Sequence, residues 1–274
     1  MNIYAFADEA SPLIAGQIAA MKRNGLNGLE IRNVDGQNVS DITVQKAAEV
    51  KKMLDDAGLQ CWSIGSPIGK IGVNDPFEPH LDKLKNTLDV AGALNAGNIR
   101  MFSFYIPAGE NPANWRNLVF DRMAKMLEIA GQYPVALCHE NEKGIYGDLA
   151  VRCKELVDAF PALHNVFDPA NYIQCGQETL QAWEMLKSRT KYFHVKDALQ
   201  NGQVVPAGHG IGHVGEILKD YIALGGQNIT VEPHLKVFEG FSALEKGNVS
   251  MGDFTYESSD IAFDTACNAA KALL

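Results

Sequence analysis

Short apolar runs alternate along the chain with longer stretches whose apolar residues recur at helical spacing, and the alternation persists to the C-terminus. The first run covers residues 3–7. A helical stretch follows, opened by Ser11-Pro12 as N-cap and first-turn proline and closed by Asn24-Gly25. A second strand is predicted over 28–31. The next helix is predicted over 44–57, where Val50, Met53, Leu54 and Ala57 fall at i, i+3, i+4 and i+7 and Gly58 takes the C′ position. The same succession predicts strands at 60–64, 98–102, 133–138, 165–167, 191–195 and 229–231. Helices are predicted at 77–94, 112–130, 149–159 and 178–188, with two more beginning at about 214 and 258.

Eight strand–helix units in 274 residues fit a single (β/α)8 TIM barrel, with the whole chain, 1–274, as one domain. An open doubly wound sheet uses the same alternation. The count of eight favours closure, as does the lack of a Gly-rich dinucleotide turn after the first strand. Composition agrees with a packed domain: 46% of residues are apolar and 21% charged, which excludes global disorder. Basic residues number 24 and acidic residues 33, a net charge of -9 that repels phosphodiesters, so nucleic acid is not expected as a partner. No uncharged apolar run reaches the length of about 18 residues that a membrane span needs. The five cysteines, Cys61, Cys138, Cys153, Cys175 and Cys267, form no CxxC pair and read as free thiols in a reducing compartment. The N-terminus has no basic n-region and meets Asp8-Glu9 early, so a cytoplasmic protein is expected.

Chemistry in such a barrel gathers where strands run out into βα loops. Strand five ends in Cys138-His139-Glu140-Asn141-Glu142, strand six in Phe167-Asp168-Pro169-Ala170-Asn171, strand seven in His194-Val195-Lys196-Asp197, and strand eight in Val231-Glu232-Pro233-His234. Four consecutive strand ends therefore supply Glu140, Asp168, His194 and Glu232. Three carboxylates and one imidazole converging near a barrel axis repel one another unless a cation neutralises them. Oxygen-rich ligation with one nitrogen suits one divalent ion (Mn, Mg, Co or Zn) and leaves positions open for a substrate.

The order Glu…Asp-Pro-Ala-Asn…His-Val-Lys-Asp…Glu-Pro, running over nearly the whole chain, resembles the xylose-isomerase-like barrels. That superfamily comprises sugar isomerases and epimerases, inosose dehydratases, hydroxypyruvate isomerases and the endonuclease IV group. The segment from His139 to Asp148 is similar to a signature of one subgroup. The resemblance implies that Glu140, Asp168, His194 and Glu232 are metal ligands and that Glu140 and Glu232 also serve as paired acid and base. The chemistry is consistent with this. A metal that grips adjacent oxygens of a hydroxyketone acidifies the C–H between them and stabilises the resulting enediolate. The expected protein is thus a metal-dependent isomerase or epimerase of a sugar, sugar acid or sugar phosphate, assembled as a homo-oligomer.

Two other readings use the same scaffold. A lyase of the inosose-dehydratase type follows the same deprotonation with loss of a β-hydroxyl. An endonuclease-IV-like enzyme needs a three-zinc cluster. Here Asn171 stands where that group has a histidine, no Asp-x-His follows strand seven, strands two and three end without histidine, and the pI is 5.3, all against the nuclease. Asn171 and Gln200 also replace a histidine and an arginine that epimerases of this superfamily often carry, which leaves the particular substrate open.

For substrate binding, Lys196 reads either as a partner of substrate oxygen or as a partner of Asp197 or Asp168. Glu142 is a loop acid that either projects into the pocket or is solvated. A sugar wants an aromatic plane and charged hydrogen-bonding groups, which draws attention to Trp62, Glu30 and Arg100 on the early strands. Trp62 reads as core; Glu30 and Arg100 read as substrate-binding groups or as a buried pair with each other. His139 and His234 adjoin ligands but sit at positions that point to the opposite face, as supporting groups. The Gly-rich loop 206–213 invites a phosphate only weakly, and its His209 and His213 read as loop polar residues.

Overall fold

The computed structural model describes residues 1–236 and 256–274. Eight parallel strands form a closed barrel in chain order. They are β1 (Asn2–Ala5), β2 (Gly28–Ile31), β3 (Gln60–Gly65), β4 (Asn98–Met101), β5 (Ala136–Glu140), β6 (His164–Phe167), β7 (Thr190–Val195) and β8 (Asn228–Val231). Closure is made by β8 pairing with β1, from Asn2 opposite Asn228 to Ala5 opposite Val231. The expected TIM barrel is therefore the observed fold.

Helices cover the outside: α1 (Ile14–Arg23), α2 (Val44–Ala57), α3 (Glu78–Leu94), α4 (Arg116–Ala130), α5 (Ala150–Ala159), α6 (Pro169–Gln174), α7 (Thr179–Leu186), α8 (Val214–Ala223) and α9 (Ser259–Ala272). Besides shifted element ends, such as a fifth strand at Ala136–Glu140 rather than 133–138, and two small two-stranded sheets in the loops, two features differ from the pattern-based expectation. The first helix starts at Ile14 rather than at Ser11-Pro12, because its leading amide is capped from elsewhere: Asp35 Oδ1 accepts from Ile14 N at 2.9 Å, while Ser11 Oγ accepts from Leu13 N. The second is α6, a short helix not foreseen, which begins directly after the acid that ends β6.

Alternation along the strands divides the core in two. Outward residues such as Phe167 and Phe193 pack with Trp183 and Tyr172 under the helices. Inward residues fill the lower barrel: Cys138, Val166 and Tyr192 cluster with Trp62, which stacks on Tyr4 at 5.1 Å between ring centroids. Trp62 is thus a core residue, as read. This apolar floor leaves the upper barrel to polar side chains.

A buried histidine under the loop after β3 carries a pH liability. His80 Nε2 accepts the Gly69 amide at 2.8 Å, and burial, reinforced by Lys83 and Arg122, pushes its pKa down to about 4. A histidine depressed in the fold stabilises it fully above the ordinary value of 6.5 and loses that contribution as pH falls toward 4. We expect about 2–3 kcal/mol of folding stability to vanish across this window through His80. Urea unfolding of wild type and His80→Gln checks it, since the variant should show the flatter pH dependence; equal slopes would refute it.

Candidate metal centre

The two-residue period of β-structure carries the inward face past the strand ends. Cys138 is followed inward by Glu140, Val166 by Asp168, Tyr192 by His194 and Lys196, and Thr230 by Glu232. Among the described residues, one donor atom from each of Glu140, Asp168, His194 and Glu232 lies within 4.8 Å of all the others. All four are buried, at 2%, 0%, 0% and 6% exposure, so solvent does little to screen them.

Each ligand candidate is held by its surroundings. Asp168 caps α6, its Oδ1 accepting Asn171 N at 3.0 Å, which leaves Oδ2 for the pocket. Asn141 locks the Asp168 backbone, its amide donating to Asp168 O at 3.1 Å and its Oδ1 accepting Asp168 N at 3.2 Å. Glu140 Oε1 lies 2.9 Å from His194 Nδ1, and Arg100 Nη1 lies 3.3 Å from Oε2. On the other side of the imidazole, His194 Nε2 meets Glu30 Oε2 at 3.1 Å. Glu30 also accepts from Tyr192 Oη at 2.8 Å and Ser63 Oγ at 3.3 Å. Nδ1 therefore faces the carboxylates, with a carboxylate fixing the ring from behind, the usual support for a metal-binding histidine.

Lys196 Nζ sits 2.8 Å from Asp168 Oδ2 and 3.0 Å from Glu232 Oε2. Burial works against the charge of every group here, and the neighbours decide the outcome. His194 and Arg100 override it and hold Glu140 down to about 2. Lys196 and His234 likewise keep Glu232 well below the carboxylate range. Burial wins at Asp168, which rises to about 7 despite the ammonium beside it. His194 is driven well above its ordinary value by Glu140 and Glu30. Positive charge from Lys196 and a protonated His194 thus balances the acids, the role a divalent cation would take over. The donor set fits such an ion: metal–ligand bonds of about 2.0–2.6 Å place donors on one ion within about 5 Å of each other.

A second group, Glu9, Glu232 and His234, also lies close together. Arg32 fills it, with Nη2 3.0 Å from Glu9, Nη1 3.5 Å from Glu232 and Nε 2.9 Å from Asp8. His234 adopts φ 44° just past β8, so strand alternation no longer holds, and its Nδ1 turns to within 3.0 Å of Glu9 and 3.6 Å of Glu232. His139 does point away, its Nε2 2.9 Å from Ser103 Oγ.

The remaining sequence candidates fall as follows. Arg100 packs between Phe6 and Phe102 and goes to Glu140, while Glu30 goes to His194, so the pair weighed between them gives way to two separate contacts. Glu142 is half-buried and meets Lys70 at 2.6 Å. His209 and His213 are exposed on their loop. Sequence reading passed over Asp8, Glu9, Arg32 and Lys70. Arg32 carried a signal, standing two residues beyond Glu30 as Lys196 stands beyond His194.

Because Glu30 orients His194, we expect Glu30→Gln to weaken metal binding by about tenfold or more while leaving the fold intact. Calorimetric titration with Mn²⁺ checks this, and an unchanged affinity would remove Glu30 from the centre.

Fold and cluster together define a class: a (β/α)8 barrel with three carboxylates and one imidazole gathered at the C-terminal ends of four adjacent strands. Residues 18–225 match the family model for the xylose isomerase-like TIM barrel, and the chain belongs to that family. No protein of curated function matches the sequence at a significant level. Three solved structures illustrate the likeness. Escherichia coli 3-keto-D-glucoside 4-epimerase in its apo form superposes with a TM-score of 0.71 at 14% identity, over 100% of this chain and 98% of that one. The IOLI protein with a bound zinc atom gives 0.76 at 12%, over 100% and 98%. The probable 3-DHS dehydratase AsbF of Bacillus anthracis gives 0.75 at 15%, over 99% of each. At these identities the likeness is one of fold.

Proposed function

We propose that the protein is a divalent-metal-dependent isomerase or epimerase that moves a proton on a carbohydrate. The observation that carries this reading is the four-residue cluster, with donor atoms all within 4.8 Å at the catalytic end of the barrel. The family and a fold neighbour that is an epimerase support it.

A bound cation would be held by Glu140, Asp168, His194 and Glu232 and would lower the energy of charge developing on carbonyl and hydroxyl oxygens. Glu140 ends β5 and Glu232 follows β8 by one residue, so the two approach the site from different strands. The one that enters the cycle ionised takes the proton from the carbon beside the carbonyl, and the one that has first been loaded with a proton from solvent gives it back, so the pair exchanges protonation states and total charge is unchanged. The Lys196 ammonium and the Arg100 guanidinium donate to substrate oxygens, with Phe6 and Phe102 holding the plane of Arg100. Glu142, paired with Lys70, lies near enough to Glu140 and Lys196 to act on them electrostatically. Glu30 acts through His194.

A second reading, β-elimination as in the dehydratases, draws on one observation: the Lys196 ammonium adds a proton donor 3.0 Å from Glu232, suited to a departing hydroxyl. A single screen separates the two. Manganese-loaded protein is incubated in D₂O with ketoses, keto-acids and inososes and followed by NMR. Exchange at the carbon beside the carbonyl with an isomer or epimer as product is the expected result. Formation of an ultraviolet-absorbing enone would assign the lyase. No exchange with any compound would overturn both.

A further inference from the structure

The loop after β7 has the composition of an anion-binding turn, yet its amides are already occupied. Asp197 Oδ2 accepts from Gly208 N at 2.9 Å and Gly210 N at 3.0 Å, and Oδ1 accepts from Gly212 N and Ala198 N, each at 2.9 Å. Asp197 is 1% exposed. The loop is moulded onto this carboxylate: a Cβ at Gly210 or Gly212 would lie only 2.3 or 2.6 Å from Asp197 Oδ1. A concave run of backbone N–H groups is the place where such barrels accept a phosphate. Here the protein's own buried anion fills it, and a phosphate would have to displace that carboxylate from four amide hydrogen bonds.

The cations of the pocket are committed in the same way. Arg32 is paired with Asp8 and Glu9, Lys70 with Glu142, Arg100 with Glu140, and Lys196 with Asp168 and Glu232. Glu30 adds one more acid behind His194. Each of these cationic side chains thus already faces at least one carboxylate, and His234 adds a further partner to Glu9 and Glu232. A divalent ion at the cluster takes up carboxylates that Lys196 and His194 share and adds no cationic side chain for a ligand to pair with. An anionic substrate would have to compete with buried carboxylates for these cations in a region where solvent screens poorly.

Resting on the carbohydrate reading above, we infer that the pocket takes an uncharged polyhydroxy carbonyl compound and discriminates against sugar phosphates and sugar acids. Hydroxyl and carbonyl groups accept hydrogen bonds from Arg100 and Lys196 without competing for their carboxylate partners, whereas a phosphate or carboxylate would compete.

Calorimetric titration of the manganese-loaded protein with the D-ketohexoses and their 6-phosphates tests this. The expected result is that a neutral ketohexose binds at least about tenfold more tightly than its 6-phosphate, with an affinity insensitive to added NaCl. Glu142→Gln removes the carboxylate partner of Lys70 and should strengthen binding of the 6-phosphate by about fivefold or more relative to wild type. A 6-phosphate that binds wild type more tightly than its parent sugar overturns the inference, as does binding of none of these compounds. So does unaltered discrimination in Glu142→Gln. C–H exchange in D₂O is read in parallel: neutral binding without exchange sinks the proposed activity and leaves the charge preference standing.

Discussion

Glu140→Gln and Glu232→Gln are each expected to lower turnover by about a hundredfold or more, the range usual for a lost acid–base group. Gln keeps the size and one oxygen of the side chain but cannot take a proton. The two variants need not fail at the same step. Where one glutamate removes the proton from a given substrate, its variant loses solvent exchange at the substrate carbon in D₂O. The partner's variant still exchanges that proton and makes no product, because deprotonation survives and correct reprotonation does not. Surroundings also separate them: Glu140 is tied to His194 and Arg100, Glu232 to Lys196 and Arg32. Metal content must be measured in each variant, since either substitution also weakens a ligand. Normal turnover by both, with metal bound, would end the two-base mechanism and pass the proton to Lys196, Glu142 or water.

The second large effect is on the metal itself. Wild-type protein should bind about one divalent ion per chain and gain roughly 2.7 kcal/mol of stability when free metal exceeds Kd a hundredfold. Asp168→Asn should weaken that binding by at least about a hundredfold, because it removes an anionic ligand from a buried site. Asn is the informative choice, for its side-chain oxygen can still cap α6 through Asn171 N, so the local fold persists. Elemental analysis and thermal melts with and without Mn²⁺ read the outcome. Full metal content in Asp168→Asn would count decisively against the centre. A stoichiometry near three would restore the nuclease reading.

Much of this architecture is legible in the sequence for a simple reason. A parallel strand buried on both faces reads as a short apolar run, so the first polar residue beyond it marks the catalytic rim. Asp168, His194 and Glu232 announce themselves this way, and Glu140 stands one residue later, after His139. Failures come where local rules stop applying. Helix α6 has six residues, too few for a period to show. Asp8 and Glu9 lie in a 3₁₀ turn after β1, where alternation breaks. His234 lies beyond β8 in a left-handed conformation, so its direction could not be extrapolated from Glu232. Lys70 reaches Glu142 across two loops, a contact without any local signature. The Gly-rich loop was visible, but not that Asp197, eleven residues before Gly208, is the anion it encloses.

The four cluster residues all come from the ends of β5 to β8, whereas Arg32, Lys70 and Arg100, three of the four cationic side chains named above, come from the first half of the chain. The barrel therefore divides its labour between halves. Glu30, Arg32 and Arg100 of the earlier half are bound to His194, Glu232 and Glu140 and so are constrained with them, whereas Lys70 pairs with the loop acid Glu142, where a substitution alters the charges a ligand meets and leaves the cluster's own contacts in place. Such a partition makes selectivity evolvable without loss of the reaction centre. It also marks the loop after β3, which carries Lys70, as the place to randomise when a new substrate is sought.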